Sequence, residues 1–345
     1  MLNISLKNIK QESINAVFSV ISHGGNVSRA EISEKTGLSL MTVGKVADML
    51  LEKNIIVQSK QITHEVGRRA GLVNLNNENR MAIFDLSSYN FKLNIFDSAL
   101  DFIDSYVYTY CSDCSFEENL FSFLSESKRF AEKSIKRNYF VGTAVSTPGA
   151  YYKESDSVKN TRITELNNVK IKETFVKYFG QEPMLIGENV KFGAIPHIRR
   201  IEDNRSKILF YLHIGESVAG AIAINGELVQ SLESVSGEVG HMFVNNASGG
   251  IIVDDFVSSP DFPKDEKRRL IINIVHNAIW LLGPHTVIIE SDDEEYYISS
   301  QDVINTFNYQ LREFPEVLSL ISETKNEYIG AGLLLRDKWL ERLVY

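Results

Sequence analysis

The chain is short of cysteine, of long apolar runs and of positive charge. Each shortage excludes something. Two cysteines, Cys111 and Cys114, cannot build a disulfide framework, and so low a count fits a cytoplasmic setting. No uninterrupted apolar run reaches about 18 residues, so no helical membrane span is expected. The opening "MLNISLKNIKQESINAV" lacks the apolar core and small-residue cleavage site of a secretory leader. The deficit of positive charge is uneven. Residues 1–75 carry nine Lys/Arg against six Asp/Glu, a net of +3, while the whole chain stands at −9. Only the head therefore invites a polyanion, and ordinary scatter of surface charge would also give +3. What is present, 43% apolar and 23% charged residues over 345 positions, describes a globular protein of two or three domains.

The head reads as three helices and a β-ribbon. In "ESINAVFSVISHGG", Ile14, Val17, Phe18 and Ile21 fall on one helical face, and Gly24-Gly25 ends the helix. Ser28 and Glu31 make a capping box that starts a short helix to about Thr36. Gly37 supplies a positive-φ turn, Leu38 anchors it and Ser39 caps the next helix, whose Val43, Val46, Ala47 and Leu50 face inward. Helix, glycine turn, capped helix is the helix-turn-helix arrangement. Its outward residues Leu40, Met41, Thr42, Gly44 and Lys45, behind Ser39, occupy the portion that reaches base edges in a major groove. Thr42 and Lys45 suit bases or phosphates, and Leu40 and Met41 suit thymine methyls. A helix-turn-helix used only for protein contacts is the other reading. Strands at 55–60 and 72–75 around a turn near His64–Gly67 form a wing. Its Arg68 and Arg69 suit a phosphate or a minor groove, or make a solvated basic turn.

Two stretches of the body share one pattern. Residues 81–108 and 207–234 each read strand, turn, strand, turn, strand, which points to two similar α/β lobes with a cleft between them. The head spans 1–75, and the lobes are expected at 76–195 and 196–345, with a C-terminal helix that can return to the first. Cys111-Ser-Asp-Cys114 is an isolated C-x-x-C on a strand end or loop, and no second pair or helix start beside it supports a metal or redox role. "ESDDEEYY" (290–297) reads as a solvated acidic loop, and His197 and His213 show no evident partner.

Six segments carry a resemblance in order: "GLSLMTVGKVADMLLEKNIIV", "GRRAGLVNLN", "GTAVSTPGAYY", "ENVKFGAI", "SGEVGHMFV" and "NAIWLLGPHTVIIES". The chain resembles the ROK family (repressor, open reading frame, kinase), in the branch of xylose and N-acetylglucosamine repressors. The resemblance implies a winged helix-turn-helix domain joined to a body of two actin/hexokinase-like (ribonuclease H-like) lobes. It also implies control of carbohydrate genes, a homodimer on a pseudo-palindromic operator in double-stranded DNA, and a sugar or sugar derivative as effector.

The departures from the family pattern speak against catalysis. Where the kinases carry Asp-x-Gly-Gly-Thr, this chain has Asp85-Leu86-Ser87-Ser88-Tyr89. Their second phosphate turn is here Gly215-Glu216-Ser217-Val218, and Glu216 would meet a polyphosphate with like charge. The catalytic Asp position falls on Asn189 or, shifted by one, on Val190; neither is a general base, and Glu188 is a poor substitute. The cysteines that bind zinc in the family are missing after His241. No enzyme activity, no ATP and no zinc are therefore expected. The sugar-contacting residues that the resemblance leaves are Pro148, Gly149, Glu188, Asn189, Glu238 and His241, unless they are inherited scaffold. Two other functions remain open: a sugar kinase fused to a DNA-binding head, and a ligand-independent DNA-binding dimer.

Overall fold

The computed structural model describes residues 2–59, 71–159, 161–180, 183–201, 207–215, 217–229, 236–246, 249–307, 313–321 and 326–343, with backbone only at 2–9, 245 and 246. Arg68, Arg69 and the expected wing turn lie outside the described residues, as does Glu216. The chain divides into two compact units. The first holds Met1–Val145, Lys172–Ile186 and Gly332–Tyr345, and the second holds Ser146–Ile171 and Gly187–Ala331. This division runs differently from consecutive lobes at 76–195 and 196–345.

The head opens with α1 (Leu2–Gly24), and all four of its spaced apolar residues are buried. Gly25, at φ 63°, turns the chain into β1 (Val27–Ser28) and α2 (Arg29–Thr36). The capping box forms: Glu31 N–H donates to Ser28 Oγ (3.2 Å), and Ser28 N–H donates to the Glu31 carboxylate (2.7 Å). Gly37, at φ 69°, leads into α3 (Leu40–Glu52). The strands β2 (Ile56–Ser59) and β3 (Leu72–Leu75) pair antiparallel from Ile56↔Leu75, and β1 adds to the other edge of β3. The head is thus three helices and a three-stranded sheet around one apolar cluster.

The rest of the first unit is built on β4 (Arg80–Asp85), β5 (Lys92–Asp97) and β6 (Phe102–Val107), an antiparallel meander followed by α4 (Phe116–Ser134) and β7 (Phe140–Thr147). The short strands β8 (Ala150–Tyr152) and β9 (Ser157–Lys159) lie in the second unit. Then α5 (Ile171–Phe179), β10 (Met184–Glu188) and α6 (Asn189–Arg200) follow. The sheet runs β10-β7-β4-β5-β6. Phe84 of β4 meets Phe123 of α4 and Phe175 of α5 edge to face, with centroids 5.8 and 4.9 Å away. Gly142 lets β7 approach β10, since a Cβ there would sit 2.3 Å from the Pro183 carbonyl.

The second unit repeats the plan with β11 (Ile208–Ile214), β12 (Val218–Ile224) and β13 (Glu227–Leu228). A hairpin of β14 (Phe243–Asn246) and β15 (Gly249–Ile252) leads into α7 (Val253–Ser258) and α8 (Lys264–Leu282). Then come β16 (Thr286–Ser291), α9 (Ser300–Phe307), β17 (Glu316–Ile321) and α10 (Asn326–Glu341). Its sheet runs β13-β12-β11-β16-β17, with β11-β16 and β16-β17 parallel. Counted within each sheet, both orders are third, second, first, fourth, fifth. The repeated three-strand opening seen in the sequence is therefore the shared start of two like sheets. The end of α10 belongs to the first unit: Leu340 is buried in the head's cluster, and the Arg336 guanidinium lies 5.2 Å from the Phe18 ring centroid.

Candidate functional site

On α3 the buried and exposed residues separate cleanly. Val43, Val46, Ala47 and Leu50 are buried, whereas Leu40 and Met41 are 60% and 72% exposed and Lys45 is exposed. Thr42 and Gly44 are half-buried. Ser39 works locally: its Oγ accepts the Thr42 N–H (3.2 Å) and lies 2.9 Å from Thr42 Oγ1. An ion pair from Arg29 on α2 to Asp48 braces α3, and Gly44 lies beneath that Arg29. Two large apolar side chains stand in water beside a helix N-terminus that favours anions.

The two turns expected as degenerate phosphate loops spend their donors internally. The buried Asp85 carboxylate accepts both the N–H of Ser87 (2.8 Å) and its hydroxyl. Ser88 follows, and Tyr89 packs edge to face on Tyr110 at 5.1 Å. In the second unit, Gly215 N–H donates to Ser217 C=O (3.1 Å) and Val218 N–H donates to Asp254 Oδ1 (2.6 Å).

The expected sugar residues fall within the second unit. Thr147 Oγ1 lies 2.9 Å from the Gly149 carbonyl and 3.1 Å from that of Gly187, which ties the Pro148-Gly149 turn to the strand ending at Glu188. Glu188 is only 6% exposed, caps α6 and pairs with Lys191 Nζ at 2.7 Å. Asn189 turns its Oδ1 back onto the Val190 N–H (2.8 Å). Glu238 hydrogen-bonds Glu188; burial first, and then that neighbouring carboxylate, push its pKa up to about 7 against the pull of Lys191. His241 is largely exposed, its Nε2 4.0 Å from Glu238 Oε2. Gly237 and Gly240 hold this turn against β12. A Cβ on either would come within 2.4 Å of backbone carbonyls at Gly220 or Val218.

Glu188 and Glu238 are therefore brought together, Pro148 and Gly149 are tied in through Thr147, and His241 sits at the edge. Sequence reading missed Lys191, although it lies one helical turn after Glu188. It also missed Asp254, which holds Val218 and pairs with Arg162 at 3.2 Å; no local signal links positions so distant in sequence. His197, read as partnerless, is corrected. Glu290 Oε2 lies 3.0 Å from His197 Nε2 and accepts from Tyr211 Oη (3.1 Å) and Asn326 Nδ2 (3.1 Å). Glu290 is thus the buried end of β16, and the solvated acidic stretch begins beyond it, where Asp293 and Glu295 pair with Lys264. Among the described residues no three His, Cys, Asp or Glu are grouped to hold a metal.

No family model matches the chain. A curated relative, the "Putative xylose repressor" of Caldicellulosiruptor sp. (strain Rt8B.4), is 22% identical over 250 residues, covering 69% of this chain. The chain's match spans 60% of that relative's length. A solved ROK family transcriptional regulator, a homologue of the E. coli MLC protein, superposes with TM-score 0.73 at 15% identity over 97% of this chain and 99% of its own. A ROK family protein from Streptococcus pneumoniae TIGR4 in complex with sucrose gives 0.59 at 15% identity, over 76% of this chain and 98% of its own. The ROK hexokinase of Thermus thermophilus gives 0.55 at 13%, over 74% and 97%. No helix among the described residues is long and apolar enough to cross a membrane. The fold is that of the ROK proteins: a winged helix-turn-helix head on two actin/hexokinase-like lobes.

Proposed function

We propose that the chain is a DNA-binding transcriptional regulator of the ROK type. It represses carbohydrate-related genes from the cytoplasm, and its body binds an effector instead of phosphorylating one. The observation that carries this reading is α3: Leu40, Met41 and Lys45 are presented on a helix whose opposite face is locked into a core. One short helix reads too few base pairs for specificity, so two heads on a two-fold dimer reading a pseudo-palindromic operator follow.

Three features support a body without catalysis. The N–H groups of Ser87, Gly215 and Val218 already have protein acceptors. Asn189 and Val190 offer no base, and Glu188 is held by Lys191. A structural zinc needs about four N or S donors, and the sequence after His241 holds no cysteine to supply them. Glu188, Lys191, Glu238 and His241, near the Pro148-Gly149 turn, gather polar groups of the kind that bind sugar hydroxyls. An effector there controls DNA binding only if it binds the two states of the protein unequally.

Selection of fragments from the source genome by the purified chain tests this, with and without a panel of sugars. A few enriched palindromes, released by one sugar, are expected. The same sites with no sugar response would favour the ligand-independent dimer. Magnesium-ATP-dependent phosphorylation of any hexose would overturn the non-catalytic body.

A further inference from the structure

Cys111 and Cys114 lie in the first unit between β6 and α4. Cys114 N–H donates to the Cys111 carbonyl (3.3 Å), closing a four-residue β-turn. Such a turn holds its end Cα atoms within about 7 Å, and a disulfide spans Cα separations of about 4.4–6.8 Å. The turn is templated by one side chain. Asn119 is fully buried: its Oδ1 accepts the Cys111 N–H (2.8 Å), and its Nδ2 donates to the carbonyls of Cys111 (3.0 Å) and Ser115 (2.9 Å), with Cys114 C=O at 3.4 Å. The two sulfurs are already neighbours. A hydrogen bond with Cys111 is the main reason the Cys114 thiol pKa is pushed up to about 11; some desolvation and the charges of Cys111, Glu118 and Asp113 add to it. Cys114 is exposed and Cys111 half-buried, so a soluble reagent reaches the pair.

We propose that Cys111 and Cys114 are a thiol–disulfide site that closes to an intramolecular disulfide by exchange with a small soluble disulfide of the glutathione class. One cysteine thiolate attacks the reagent's S–S bond, which breaks and releases one thiolate that takes up a proton. The second cysteine attacks the resulting mixed disulfide, forms the Cys111–Cys114 bond, loses its proton and expels the second thiol. Two protein thiols are oxidised, and one small disulfide is reduced to two thiols. The turn exists before the bond forms, so closure needs little rearrangement. Its upstream neighbour Tyr110 packs on Tyr89, so the degenerate phosphate turn adjoins the redox pair.

The test equilibrates the full chain in buffers of varied reduced-to-oxidised glutathione ratio, quenches with acid, alkylates and weighs the intact protein. The native chain is expected to pass from two alkylated thiols to none, with a mass lower by two hydrogens. Its midpoint should lie at a ratio about tenfold more reducing than that of the same chain unfolded in urea. Cys114→Ser should stop at a glutathione adduct or a free thiol, never losing two hydrogens. Two alkylatable thiols at every ratio, glutathione adducts alone, or equal midpoints in native and unfolded chains would overturn the proposal.

Discussion

In the head, α3 exposes Leu40 and Met41, while four apolar residues on its other face hold it to a core shared with α1 and α2. In the second unit, Glu188 and Glu238 come from positions 50 residues apart to stand as neighbouring carboxylates beside Lys191. The head presents Leu40, Met41 and Lys45 to water and packs the opposite face of α3 inside, and it draws both from local sequence. The carboxylate pair buries charge, and its stability is tied to protonation. Exposed residues of α3 can be replaced without unfolding the head; a buried carboxylate cannot be changed without changing stability against pH.

Substitutions should separate the two regions. The largest effect is expected for Leu50→Ala, which opens a cavity in the head core and costs about 3 kcal/mol in urea unfolding. DNA binding should fall with it only where the head is unfolded.

Glu238→Gln sharpens the other side. The folded-state pKa of Glu238 is raised from 4.5 to about 7, so its favourable contribution is full below about pH 4.5 and is lost as pH rises to about 7. Relative to wild type, the variant should therefore gain stability across that window, on the order of 2 kcal/mol by pH 8, with no further change above it. A stability difference independent of pH would contradict the raised pKa of Glu238. Ser39→Ala removes a helix cap and should cost about 1 kcal/mol. Arg29→Ala breaks an exposed ion pair and should cost no more than about 0.5 kcal/mol.

The same contrast explains what the sequence made legible. The Ser28–Glu31 box, the Gly37 turn and the Ser39 cap are signals three to five residues wide, and each formed where spacing placed it. The repeated strand openings were readable because short apolar runs broken by turn residues recur in both places, and those runs are the almost wholly buried β4 and β5 and the largely buried β11 and β12. The contact of His197 with Glu290 spans 93 residues and that of Val218 with Asp254 spans 36, so no periodicity reports them. Lys191 was readable, since a cation three residues after a carboxylate at a helix start can return to it. Cys111 and Cys114 were visible as a motif, but Asn119, which shapes their turn, was silent until its side chain was placed.

The central claim is that the exposed face of α3 grips DNA, and the most direct test is the salt dependence of operator binding by the full chain and by Lys45→Ala. If Lys45 neutralises a phosphate, the variant should bind every site more weakly, with a log–log salt slope shallower by about one, and should unfold at the same urea concentration as wild type. An unchanged affinity and slope, together with unchanged affinity for Met41→Asp, would contradict the account and leave α3 a surface for something other than DNA.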